Sequence, residues 1–287
     1  MLYLEVIPLY LNCSLTNDVL FKETFANKNN RKQLEFLLEL LLDYPPGLLK
    51  DKLEVEYESP LEKDEVSEKS VRGDIIIRFD DTTINLEAYR VFDSNSIDKS
   101  LYYVMRIQAK KLMIGDNYYK LGKTIQINFV DHTTLKLKDD LVANFHIAYD
   151  DDSSVKLMEK SFVVKVVQID KARKLGYTKN DLERWLKFIG AETSSEREEI
   201  AKGDELLMEL HEWVKKYVAD EETQEKLNKW DIHIAENKGY EQGIQEGIKS
   251  EKIEIAKKLI KMNMPLEDIK KITNLSKEEI KKLKEEM

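Results

Sequence analysis

The sequence predicts an α/β protein in which helices flank a mixed sheet and an all-helical C-terminal region follows. Two observations support this prediction. Up to about residue 178, segments in which apolar and polar residues alternate, as in strands, are interspersed with segments of helical period. From about Asn180 onward only helical periods remain. Helices interspersed with strands in this way pack on the faces of a sheet.

The predicted elements follow in the order helix, three strands, helix and strand, with further strands after them. The first helix begins in "TNDVLFKETFA", where Thr16 or Asn17 can accept the free amide hydrogens of the first turn. The second, "NRKQLEFLLELLL", ends before Pro45 and Pro46. The other segments are the strand "KLEVEYES", the hairpin "VRGDIIIRFDDTTINLEAYR", the helix "SIDKSLYYVMRIQAKKLMIG" and the strands "TIQINFVD", "VANFHIAY" and "SFVVKVVQID".

Changes in composition divide the chain into three predicted regions. Residues 1–178 form the α/β domain, residues 179–249 a helical extension, and residues 250–287 a small tail of three helices. The extension ends in "GYEQGIQEGIKSE", with three glycines spaced by four. Because glycine inside a helix costs about 1 kcal/mol relative to alanine, this spacing favours a flexible linker and a close helix contact equally.

Composition excludes several classes of protein. The net charge of −9 argues against non-specific binding of DNA by the whole chain. Residues 249–287 differ, with eleven lysines against eight acidic residues, a local charge of +3. The single cysteine, Cys13, excludes a disulfide framework and a thiolate metal cage within one chain, and it fits a reducing cytoplasm. No apolar run approaches the roughly 18 residues that a membrane span needs, so we expect a cytoplasmic protein without a membrane partner.

The hairpin at residues 71–90 carries a carboxylate on each strand. If its apolar side chains share one buried face, Asp74 and Glu87 become cross-strand neighbours, within about 4.5–8 Å. Two carboxylates so close repel unless a proton or a cation lies between them, and Mg²⁺ binds one or two carboxylates together with water and phosphate oxygens. The hairpin therefore fits a metal-assisted phosphodiester site. On spacing alone, a solvated face with Asp74 balanced by Arg72 or Arg78 is the simpler interpretation.

The order of the motifs resembles the PD-(D/E)XK nuclease superfamily, and more closely its Rpn family of recombination-promoting nucleases, also described as transposases. The matching pieces are "TNDVLFKETF", "RGDIIIRF", "INLEAY", "DKSLYY", "TIQINFVD", "GYEQGIQEG" and "IAKKLIKMNMPLEDIKKITNLSKEEI". The resemblance implies a restriction-endonuclease-like sheet on which Asp74 and Glu87 bind Mg²⁺ or Mn²⁺, with Asp18 as a further acidic member of the site. It also implies a metal-dependent DNA endonuclease linked to recombination or mobile elements.

The sequence departs from the superfamily pattern at Tyr89. Two residues after the glutamate, the superfamily has lysine and this family often has glutamine, which orients or activates the attacking water. Tyr89 shares a strand face with Glu87, but a phenol with a pKa near 10 is neutral at pH 7 and supplies no fixed positive charge. Lys99 of "DKSLYY" occupies a position at which the family that the chain resembles often has arginine. A positive charge therefore remains available to bind a phosphate. Lys110 and Lys111 are further candidates on the same helix.

Two other interpretations remain open from the sequence. Tyr89 and the acidic net charge favour a catalytically degenerate nuclease fold that binds nucleic acid or a protein partner without cutting. A purely structural interpretation is an oligomerising helical protein whose tail carries the function. The short tail helices resemble a helix-turn-helix, but their lysines alternate with acids, as on a solvated surface. DNA contact and homo-oligomerisation through the tail are therefore equally favoured.

Overall fold

The computed structural model describes residues 13–61, 71–149, 152–157, 161–227, 252–262 and 264–285. The chain divides into two compact units, Met1–Leu227 and Asn228–Met287. The glycine-spaced segment of the sequence analysis lies outside the described residues. Within the described ranges, every helix is too short or too polar to cross a membrane.

The first unit has the predicted mixed α/β architecture. Its helices are α1 (Asp18–Ala26), α2 (Arg31–Leu42), α3 (Ser94–Ala109), α4 (Ile169–Arg173), α5 (Asp181–Gly190), α6 (Ser194–Ala201) and α7 (Glu205–Val218), followed by a helical segment at 221–227. Its strands are β1 (Glu54–Leu61), β2 (Val71–Phe79), β3 (Thr82–Tyr89), β4 (Lys123–Val130), β5 (Val142–Phe145), β6 (Ile147–Tyr149), β7 (Asp152–Leu157) and β8 (Phe162–Gln168). Short 3-10 helices cover Lys28–Asn30 and Tyr118–Leu121.

Six strands form one sheet in the order β1-β2-β3-β4-β8-β5. The pairs β1–β2, β2–β3 and β8–β5 are antiparallel, whereas β3–β4 and β4–β8 are parallel. A parallel pair needs a long crossover, and α3 supplies it between β3 and β4. The segment "VANFHIAY", predicted as one strand, is divided between β5 and β6, and β6 pairs with β7 in a separate two-stranded sheet.

Local sequence explains where the first helices begin and end. The side-chain oxygen of Asn17 accepts the backbone N–H groups of the first turn of α1, as predicted. Helix α2 ends at Asp43, which adopts a left-handed φ of 54°, before the prolines are reached. The cap of α3 is Asp93, and Ser96, three residues on, completes a capping box. Ser96, the first residue of the predicted helix segment, therefore lies inside the helix and supports its cap.

One face of the sheet packs against α1 and α2 in the main hydrophobic core, which α5 and α7 also join. Phe21 of α1, for example, has its ring centroid 5.1 Å from that of Phe129 on β4. Trp185 of α5 is fully buried in the same core. The last strand ends at Gln168, and the core continues into the helices that follow it. The buried sheet residues of this core include Ile75, Ile77, Ile84, Leu86, Ile125, Ile127 and Phe129.

The other face of the sheet carries buried polar side chains beneath α3. Asn85 of β3 donates to Gln126 Oε1 of β4 at 2.8 Å, and Gln126 donates to Asn128 Oδ1 at 2.8 Å. Ser100 of α3 donates to the same Asn128 oxygen at 3.2 Å. We call these four fully buried residues the polar row. Because an unpaired buried amide costs about 1–3 kcal/mol, these bonds hold α3 in register with the sheet.

The second unit contains three short helices in its described part. They span residues 252–261, Leu266–Thr273 and Lys277–Glu285. Their apolar side chains form a small separate core around Ala256, Ile269 and Ile280.

Candidate active site

The β2–β3 hairpin brings the two predicted carboxylates together. The strands pair with Ile75 opposite Leu86 and are joined by a two-residue turn. Continued by one residue, this register sets Asp74 opposite Glu87. The backbone N–H of Asp74 donates to Glu87 Oε1 at 3.3 Å. Alternation along the strands therefore predicted this juxtaposition correctly.

Glu87 is held in a buried position from two sides. Its side chain is only 1% exposed. Its Oε2 accepts a hydrogen bond from Lys99 Nζ of α3 at 2.8 Å, and its Oε1 accepts one from the Asn85 amide at 3.3 Å. The polar row thus ends at the Glu87 carboxylate, which has little freedom to move.

Lys22 of α1 links Asp74 to the third predicted acid. Its Nζ lies 3.1 Å from Asp74 Oδ1 and 2.9 Å from Asp18 Oδ2. Burial alone lowers the pKa of Lys22, but the carboxylates of Asp74 and Asp18 outweigh burial and raise it above its usual value. Lys22 therefore stays charged, and Asp18 reaches the site through it.

The electrostatics at Asp74 favour an added cation. Burial is the main cause that raises the pKa of Asp74 to about 7, and the charge of Glu87 is the second. The Lys22 ammonium opposes this shift. Three carboxylates, Asp18, Asp74 and Glu87, are balanced by only two lysines, Lys22 and Lys99, so one negative charge is left uncompensated. A divalent cation held by Asp74 and Glu87 would lower this cost.

Tyr89 lies half-buried at the end of β3, next to a lysine. Lys99 Nζ is 5.0 Å from the ring centroid of Tyr89 and 5.0 Å from that of Tyr103. Burial raises the pKa of Tyr89 well above its usual value, and the charge of Glu87 adds to this effect. The phenol is therefore neutral. Burial lowers the pKa of Lys99, but its nearby partners, chiefly the carboxylate of Glu87, together have the larger opposite effect. The pKa of Lys99 is therefore raised, and its ammonium stays charged. The fixed positive charge beside Glu87 is therefore that of Lys99.

Lys111, one of the two further lysines considered for this role, is engaged elsewhere. Lys111 lies just beyond the C-terminal end of α3. Its Nζ donates to the backbone oxygen of Lys123 at 2.7 Å. Lys99 lies near the opposite end of that helix. Burial lowers the pKa of Lys111 to about 8, although Asp81 opposes the shift.

Sequence reasoning missed the side chains that support the carboxylates, namely Lys22 and the polar row. A signal was present in "INLEAY" and "TIQINF", where polar residues occupy alternate positions of strands that are otherwise rich in β-branched and apolar residues. In a sheet covered on both faces, such side chains must bond one another. For Lys22, the signal was its position four residues after Asp18 on one helix face.

Gly73 precedes Asp74 where the structure has no room for a side chain. An added Cβ would lie 2.4 Å from Ile76 Cδ1 and 2.8 Å from Asn85 Oδ1. We expect Gly73→Ala to displace Asn85 and to cost about 1–3 kcal/mol, seen as a melting temperature several degrees lower. Gly176→Ala, which meets no atom within 4 Å, is the control that should melt like the wild type. Equal melting of both variants would show that the crowding at Gly73 has no energetic effect.

The carboxylate pair suits a hard divalent cation. Across the described ranges, no group of three or more His, Cys, Asp and Glu side chains converges to hold a metal ion. Asp74 and Glu87 thus provide two carboxylates, and Mg²⁺ completes such a set with water and substrate phosphate oxygens. The residues present therefore fit a metal that is bound together with its substrate.

The mixed sheet, its flanking helices and the carboxylate pair on its hairpin define a protein of the PD-(D/E)XK-like α/β class. A protein-family comparison matches the PD-(D/E)XK nuclease family transposases over residues 15–230, well over half of the chain. The chain belongs to that family, which confirms the predicted superfamily. Searches of curated proteins and of solved structures found no match. Nucleases of this superfamily generally use divalent metals.

Proposed function

We propose that the protein is a metal-dependent DNA endonuclease, with Asp74 and Glu87 as ligands of Mg²⁺ or Mn²⁺. The observation that carries this proposal is the Glu87 carboxylate lying against Asp74, whose backbone N–H donates to Glu87 Oε1, while burial and the charge of Glu87 disfavour the charge of Asp74. When bound, the cation would neutralise charge on the scissile phosphate and lower the pKa of the attacking water.

The surrounding side chains have separate roles in this proposal. Lys99 and the polar row hold Glu87 in place, and Lys22 holds Asp74. Asp18 orients Lys22 from the same helix. The side chain of Lys99 is 43% exposed, which leaves it open to the approach of a substrate phosphate.

Tyr89 and Lys99 together would replace the lysine of the superfamily pattern. The phenol of Tyr89 is neutral and its hydroxyl oxygen is buried, so it would support the site through its ring beside Lys99, and Lys99 supplies the positive charge. We expect Lys99→Gln to slow DNA cleavage about a hundredfold, because one preorganised charge at a reacting phosphate contributes roughly that much. Tyr89→Phe, which keeps the ring beneath Lys99, should slow cleavage about tenfold or less. The measurement is the initial rate of plasmid nicking at saturating Mg²⁺.

Lys99→Arg is the matched control for charge, since it should retain most of the activity that Lys99→Gln loses. Equal rates for wild-type protein and Lys99→Gln would remove Lys99 from the mechanism. A larger loss in Tyr89→Phe than in Lys99→Gln would transfer the main role to the phenol.

A second candidate function is nucleic-acid binding without cleavage. The observation in its favour is that each carboxylate already forms an ion pair with a lysine. Asp74 pairs with Lys22 and Glu87 with Lys99, so both have a cationic partner without a metal. Plasmid nicking with Mg²⁺ or Mn²⁺, beside a reaction in EDTA, separates the two functions. Nicking that requires the metal supports the endonuclease. DNA binding without nicking at any metal concentration or pH supports the second candidate.

For the endonuclease, we propose a cytoplasmic role in recombination or in the movement of mobile elements, as expected for an Rpn nuclease. The family description, which pairs nuclease with transposase, supports this assignment.

A further inference from the structure

The second unit contains two helices in a helix-turn-helix arrangement. A turn of three residues separates the helix Leu266–Thr273 from the helix Lys277–Glu285. Asn274 begins the turn with a left-handed φ of 57°, and its N–H donates to Lys270 O at 2.9 Å. A turn of three or four residues between two short helices is typical of the motif.

Side-chain bonds and a small core fix the geometry of the turn. Thr273 Oγ1 donates to Ile269 O at 2.7 Å and accepts the N–H of Leu275 at 3.3 Å. Ile269, Leu275 and Ile280 are buried, one from each helix and one from the turn. They pack against Ala256. The helix 252–261, which contains Ala256, thus takes the place of the third helix of such a module.

The cap of the second helix is also defined. Ser276 N donates to Glu279 Oε2 at 2.9 Å, and Glu279 N donates to Ser276 Oγ at 3.2 Å. This capping box starts the helix immediately after the turn. In a helix-turn-helix, the N-terminal part of this second helix contacts base edges in the major groove.

Charge identifies the partner that suits this surface. Residues 252–285 have ten lysines and six acidic residues, a net charge of +4, in a chain of net charge −9. The first turn of the second helix exposes Glu278 and Glu279, whereas its later part exposes Lys281, Lys282 and Lys284. Phosphate contacts therefore fall to the lysines of the later part. Among the described residues of 252–285, the exposed large apolar residues are Ile255, Met262 and Ile272. Because lysines outnumber them on this surface, it suits a phosphate backbone better than a protein partner.

We propose that residues 252–285 bind double-stranded DNA, with the helix Lys277–Glu285 in the major groove. Lys281 and Lys282 contact phosphates and hold the helix in the groove. This DNA contact is separate from the carboxylate site and does not depend on cleavage. It would hold the chain on duplex DNA whether or not the proposed nuclease acts.

The test is DNA binding by the full chain in EDTA, where metal-dependent cleavage does not contribute. Fluorescence anisotropy with a labelled 30-base-pair duplex is measured over a range of salt concentrations. Lys281→Ala/Lys282→Ala should weaken binding about tenfold or more. It should also reduce the slope of log affinity against log salt by about two, since each phosphate contact contributes about 0.9.

The control is Lys215→Ala/Lys216→Ala on α7, which removes the same charge from two adjacent exposed lysines of the first unit. It should bind DNA like the wild type, and Lys281→Arg/Lys282→Arg should also retain the wild-type affinity. Equal losses in the two alanine variants would reduce the effect to bulk charge and overturn the proposal. Unchanged binding by Lys281→Ala/Lys282→Ala overturns the proposal as well. If light scattering then shows an altered oligomer mass for this variant, the tail serves self-association instead. Melting curves confirm that each variant is folded.

Discussion

Glu87→Gln should abolish metal-dependent DNA cleavage, with a loss of at least about a hundredfold in rate. Glutamine has the size of glutamate and retains an oxygen that can accept the Asn85 amide hydrogen. It lacks the negative charge that a divalent cation requires, and it leaves the Lys99 ammonium without its carboxylate partner. The loss should therefore affect the chemical step more than the fold. The measurement is a time course of plasmid nicking in Mg²⁺ and in Mn²⁺.

Glu54→Gln is the matched control for this experiment. Glu54 is exposed on β1, on the strand next to the hairpin, and takes no part in the site. This variant should cut at the wild-type rate. A folded Glu87→Gln variant that still nicks DNA as fast as the wild type would remove Glu87 from the proposed metal site.

Asp74→Asn should raise the melting temperature of the metal-free protein above pH 7. The pKa of Asp74 is about 7 in the folded protein and about 3.9 in an unfolded chain. The folded state therefore binds the proton more tightly, and stability falls as the pH rises from about 4 to about 7. Asparagine avoids this loss, so its advantage is complete above pH 7 and absent below about pH 4. We expect a gain of about 2 kcal/mol, or about 4–8 °C.

The measurement is thermal unfolding in EDTA at pH 4.5 and at pH 8.5. Added Mg²⁺ should reverse the order at pH 8.5, since a ligand stabilises only the protein that binds it. Asp80→Asn, at the exposed turn of the same hairpin, should leave the melting temperature unchanged at both pH values. A lower melting temperature for Asp74→Asn than for the wild type in EDTA at pH 8.5 would contradict the pKa argument.

The hairpin and its register could be predicted because they depend on short-range rules. Side chains alternate along a strand, and a two-residue turn allows one register in which the apolar faces coincide. These rules place Asp74 beside Glu87, directly opposite or one step diagonal, without any knowledge of the rest of the chain. The class of fold could be predicted for a similar reason, since the alternation of strand and helix periods is local.

The contact of Lys22 with Asp74 could not be predicted, because it depends on how α1 packs against the sheet. Nothing in "TNDVLFKETF" indicates that Lys22 lies 3.1 Å from an oxygen of a residue 52 positions later. The extent of the core is a second example. Trp185 follows the last strand in sequence but is buried with sheet residues, and helical periodicity does not show which sheet a helix covers.

The polar row has a direction that its hydrogen bonds define. An amide presents a donor on one side and an acceptor on the other, and a carboxylate only accepts. Because Glu87 accepts from the Asn85 nitrogen, that nitrogen must face the carboxylate and the neighbouring strand. Gln126 must then turn its oxygen to Asn85 and its nitrogen to Asn128. The negative charge of Glu87 thus sets the orientation of each amide in sequence as far as Ser100 of α3. The carboxylate that would hold the metal also determines how the interior of the sheet is polarised.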